Sequence, residues 1–223
     1  MGNKVPPTLR FFLILLAIAD LALLGMRLWP WQDVTTLPLN GATGIDPGVA
    51  LVGYIAFFFW ISGSRTPAIR GALFSAAWMG LLAGLILVAQ VLFKAQPAAA
   101  EAPNAAYVRV GLLLVAALVW GIAGYRGSKM TSDATVGMLC GLWCAMTSSL
   151  MACGTLLAQM FLNAPVPNPN DPWKQYEGLA VGNAATQALV LGLNSATWFL
   201  LVCPLAGGAL GLIFGLFGQG EKS

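Results

Sequence analysis

Histidine is absent from the 223 residues. Its absence removes the commonest general base, the usual zinc ligand and the ordinary axial ligand of haem. Charge is scarce as well: Asp, Glu, Lys and Arg make up 9% of the chain, against about 25% in a soluble domain. The net charge of +3 is spread over short connections rather than gathered on one face, which argues against nucleic-acid binding. The four cysteines, Cys140, Cys144, Cys153 and Cys203, sit inside apolar runs and show no CxxC spacing. They do not form a disulfide framework, and the redox compartment stays open. HExxH, GxSxG and Walker signatures are missing too. A single acid, Asp20, falls inside an apolar run, so the carboxylate pair of an acid hydrolase has no second member. No catalytic residue, no cofactor and no enzyme activity is expected.

Apolar sequence is abundant. Hydrophobic residues make up 58% of the chain and the mean hydropathy is +0.79, more apolar surface than a water-soluble globule of this size can hide. About 20 apolar residues cross the roughly 30 Å of bilayer hydrocarbon. Six runs meet that need: 11–29, 47–62 (slightly short), 71–94, 107–125, 134–163 and 188–217. Each run is continuously apolar rather than alternating, which selects helices over a barrel. The expected fold is an all-α, polytopic transmembrane bundle forming a single domain over 1–223, with the lipid bilayer as its first partner. The stretch from Lys4 through the small-x-small triplet Ala17-Ile18-Ala19 has the outline of a secretion signal. Because hydrophobicity continues to Trp29, it is read as a retained first span.

Six crossings distribute the positive charges unequally. Lys4, Arg10, Arg65, Arg70, Arg126, Lys129 and Lys222 fall on one side, and Arg27, Lys94, Arg109 and Lys174 on the other. By the positive-inside rule both termini are cytoplasmic, in what reads as a bacterial inner membrane. The longer connections then lie outside. The last of them, 164–187, carries Asp171-Pro172 followed by Trp173, Tyr176, Leu179 and Ala180 on one face, which predicts a short interfacial helix or an outward extension of the sixth span.

Small residues recur at fourfold spacing: Gly80 with Gly84, Gly137 with Gly141, and Gly207 with Gly211 and Gly215. Such faces let backbones approach closely, either within one bundle or between chains in a homo-oligomer or larger complex. A weaker pattern pairs Trp60-Ile-Ser-Gly-Ser-Arg65 with Trp120-Gly-Ile-Ala-Gly-Tyr-Arg126, each leading into a Gly/Ala-rich run that contains Trp78 or Trp143. A duplicated hairpin would look like this, but so would any two cytoplasmic turns.

Asp20 lies near the middle of the first span, where an acid costs about 2.5–3.5 kcal/mol on the insertion scale. Depth matching sets it level with Thr147, Ser148 and Ser149 in the fifth span and with Pro204 in the sixth. Pro204 cannot donate to the carbonyl of Leu200, so the last span is expected to be kinked or broken there. With Asn194, these groups form a candidate proton, ion or solute site. Arg27, Gln90, Arg109 and Gln159 fall in the outer halves of their spans and form a candidate vestibule, although the arginines also suit snorkelling. Cys140, Cys144 and Met151 share a helix face, a minor candidate for a soft metal such as Cu(I), while cysteine and methionine also serve as ordinary packers. Two functional readings follow. One is translocation of a small solute or ion with Asp20 as proton or cation site. The other is a non-catalytic accessory subunit docking through its glycine faces.

Overall fold

The computed structural model describes residues 7–28, 45–63, 66–95, 103–162 and 192–219. The connection 164–187, with the interfacial helix expected after Asp171, lies outside the described residues. The described chain is an all-α bundle of six helices: α1 (Pro7–Leu28), α2 (Ile45–Gly63), α3 (Pro67–Ala95), α4 (Ala105–Thr131), α5 (Ala134–Leu162) and α6 (Gly192–Gln219). Four of them, α3 to α6, are long and apolar enough to cross a membrane, and the apolar stretches of α1 and α2 are shorter. This composition is that of a multi-pass membrane protein.

Helix boundaries follow local chemistry. Pro7 and Pro67 each occupy a first helical position, where the missing N–H is no loss. Helix α3 starts at Pro67, ahead of the run expected from 71, and α4 continues to Thr131, past the expected end at 125. Between α4 and α5 the chain reverses in two residues. Ser132 takes the left-handed conformation (φ 59°), its N–H donating to the Ser128 carbonyl at 2.6 Å. Asp133 then caps α5, its Oδ1 accepting from the Thr135 N–H at 2.8 Å and the Thr135 hydroxyl at 2.7 Å. These two bonds hold the Asp133 carboxyl below its ordinary value.

Helix α5 is the axis of the bundle, touching α1, α3, α4 and α6. In its most apolar stretch 78% of the residues are buried, against 28% in α4. Trp143 to Leu150 are buried without interruption, so for two turns α5 has protein on every side. Its small residues make this possible. A methyl group on Gly141 would strike the Gly207 carbonyl and the Gly211 Cα, and one on Gly137 would meet the Gly124 carbonyl at 2.9 Å. Gly124 in turn lies directly against the Gly211 backbone. Thus α4, α5 and α6 meet backbone to backbone, and the Ser128 hydroxyl adds a 2.7 Å bond to the Gly215 carbonyl. On α3, Gly80 receives Thr147 and Gly84 receives Met151. The seven glycines singled out as docking faces therefore all pack against helices of their own chain, Gly215 more loosely than the rest: a methyl there would sit 3.4 Å from the Gly137 Cα.

Apolar side chains cover the outside. On α4, Tyr107, Val110, Leu114, Leu118 and Ile122 form an exposed stripe at helical spacing. The two tryptophan-containing turns are not equivalent. Trp60 is exposed, whereas Trp120 is buried and donates through its indole N–H to Ser148 Oγ at 3.1 Å. Trp78 is exposed and Trp143 buried, which removes the environmental likeness a duplicated hairpin would show.

Candidate functional site

The last helix remains continuous past Pro204, and its irregularity is a π-turn at Trp198–Val202, just before the proline. Lacking an N–H, Pro204 leaves the Leu200 carbonyl without its usual donor four residues on. The hydroxyl of Tyr54 supplies a replacement, donating to that carbonyl at 2.7 Å in a buried position. Tyr54 is the central residue of the 19-residue α2, and its ring stands edge-on to Phe58, which packs edge-on against Trp143.

Asp20 faces protein. It is 1% exposed, and a methyl group on Gly154 would lie 2.5 Å from its Oδ1. Its Oδ2 is buried and has no hydrogen-bond partner among the described residues. Glycine at 154 is what makes room for the carboxyl. Cys153, next to that glycine, is within electrostatic reach of both Asp20 and Tyr54. Ser149 lies one turn below, beside the Tyr54 hydroxyl and the Cys203 thiol, with its Oγ buried and outside strict hydrogen-bond geometry. Asp20, Tyr54, Ser149, Cys153, Cys203 and the Leu200 carbonyl thus make one polar cluster drawn from α1, α2, α5 and α6.

Other candidates go elsewhere. Thr147 donates to the Trp143 carbonyl at 2.9 Å and packs on α3 at Gly80. Ser148 donates to the Ala145 carbonyl at 2.9 Å while accepting from Trp120 of α4. Asn194 is exposed and does not join the cluster; it lies on the face of α6 opposite the buried Leu193, Ala196 and Leu200. Pro204 is buried on α6 beside the π-turn. Among the vestibule residues, Gln90, Arg109 and Gln159 are half-buried, and the Gln90 Oε1 is buried without a partner among the described residues. The side chain of Arg27 lies outside the described residues.

Two of the three soft-metal candidates, Cys140 and Met151, turn to different helices. Cys140 fills the space at Gly127 of α4 and Met151 the space at Gly84 of α3. Among the described residues, no three His, Cys, Asp or Glu side chains are grouped to hold a metal ion.

Tyr54 was missed by reading the sequence. Its one signal is position: tyrosines of membrane helices favour the interfaces, and this one sits mid-helix. The chain matches no family model, and neither a curated protein nor a solved structure matches it.

Proposed function

We propose that the protein crosses the membrane six times, with both termini cytoplasmic, and moves a proton or small cation by way of Asp20. The observation that supports this is the buried Asp20 carboxyl with an unpartnered oxygen. Intramembrane acids are costly and are retained where a pathway needs them. A proton suits the surroundings better than a metal cation. Hard cations such as Ca2+ and Mg2+ take about six oxygen ligands or more, whereas the described groups placed beside Asp20 are Gly154 and the Cys153 thiol. A proton needs no such cage, only alternation between a neutral and a charged carboxyl.

At 19 residues, α2 spans about 28 Å, just enough for the hydrocarbon. Against the accessory-subunit reading, the glycine faces that would dock it meet helices of the same chain.

The test is Asp20→Asn in sealed proteoliposomes containing a pH-sensitive dye. The wild-type chain is expected to pass protons down an imposed gradient, and the variant to lose at least about 10-fold in rate, as for loss of a proton-transfer group. Equal rates in the two preparations would dispose of the proposal.

A further inference from the structure

The two ends of α6 are held by different means. After Pro204, contacts run backbone to backbone: a methyl group on Gly207 would meet the Gly141 carbonyl at 2.8 Å, and one on Gly211 would sit 2.7 Å from the Gly137 carbonyl. That half cannot shift without opening the three-helix junction. Before the π-turn, the atoms nearest a methyl on Gly192 belong to the side chain of Met160, a flexible group that gives way easily. Between the halves lies the π-turn, with the Leu200 carbonyl bonded to Tyr54 across to α2. Widened turns of this kind concentrate at functional sites.

Register places the π-turn level with the polar cluster and the arm just beyond it. Gly192 against Met160 and Gly207 against Ala145 define an antiparallel run of α6 along α5. Position 198 is then level with Gly154, and so with Asp20. Cys203 falls level with Ser149, its observed neighbour.

We infer that Tyr54 is a positioning residue that latches the N-terminal arm of α6, residues 192–197, and that breaking its bond to Leu200 lets the arm swing at the π-turn and uncover Asp20 from the outer side. The role of the swing rests on Asp20 being the proton site, whereas the latch itself does not. The hydroxyl–carbonyl bond is a buried polar tie between α2 and the π-turn, and its removal leaves the Leu200 carbonyl without that donor.

Tyr54→Phe removes the hydroxyl and keeps the ring that packs on Phe58. Amide hydrogen exchange of the full chain in lipid nanodiscs reads the result. Exchange over 193–203 should accelerate about 5-fold, the effect of losing one net hydrogen bond, while 207–219 keeps its wild-type rate. Unchanged exchange over 193–203, or equal acceleration on both sides of Pro204, would overturn the latch. Alkylation of Cys203 by a maleimide, followed by mass spectrometry, gives a second reading: faster in Tyr54→Phe if the turn opens, unchanged if it does not. Asp20→Asn should leave both readings at wild-type values, so the latch and the proton site can fail separately.

Discussion

Three hydroxyl residues stand in a row on α5 and meet three different fates. With about 100° of rotation per residue, Thr147 turns to α3, Ser148 to Trp120 of α4, and Ser149 to Tyr54 and Cys203. The first two satisfy their donors on carbonyls of their own helix, which leaves Ser149 as the hydroxyl with capacity to spare. Sequence could give the shared depth of this trio and of Asp20, because depth follows from counting residues. It could not say which hydroxyl joins the polar cluster, because rotation about the helix axis depends on which neighbours surround it. The fit at Asp20 gives a residue-scale prediction. Gly154→Ala would bring a methyl within 2.5 Å of Oδ1, and the carboxyl, at the end of a movable side chain, must shift. The expected outcome is a folded protein whose proton uptake has a displaced pH midpoint in the dye assay. A midpoint identical to wild type would mean that the carboxyl does not rest against Gly154.

At the scale of the element, small residues decide how near two helices come. Fourfold glycine spacing was legible in the sequence, as were the six apolar runs, since both depend on composition and period alone. The destination of each glycine face was not, because an inward and an outward ridge have the same spacing. Substitution separates the two classes. Gly211→Ala would press a methyl against the Gly137 carbonyl at 2.7 Å and the Gly141 Cα at 2.9 Å, and overpacking of this kind costs about 1–3 kcal/mol. Gly111→Ala, with nothing within 4 Å of the added methyl, should be neutral or gain up to about 1 kcal/mol from helix propensity. Thermal unfolding in detergent should therefore rank Gly111→Ala at or above wild type and Gly211→Ala clearly below it. The same limit applies to Tyr54 and Leu200: the proline showed that a carbonyl would be freed, but its donor lies 146 positions away in the chain, and nothing local points to it.

For the whole molecule, the proposed topology follows from charge and from helix count together. If α1 to α6 each cross once, Met1 and Ser223 share the compartment that holds Arg70, Arg126 and Lys129. Reporter fusions at the two termini should then both report the cytoplasm, and one at Pro103 the opposite side. Termini in different compartments would require one helix, most readily the short α2, not to cross.

The burial of α5 on all sides also has a bearing on how the chain is made. Synthesis delivers this helix before α6, so its strip of glycine, cysteine and serine emerges from the ribosome with one flank still vacant. Until the final helix docks, that flank leaves glycine backbone and the Ser149 hydroxyl facing the acyl chains. A chain stopped short of Gly192 would keep it open permanently, and so present membrane quality control with a ready mark of incompleteness.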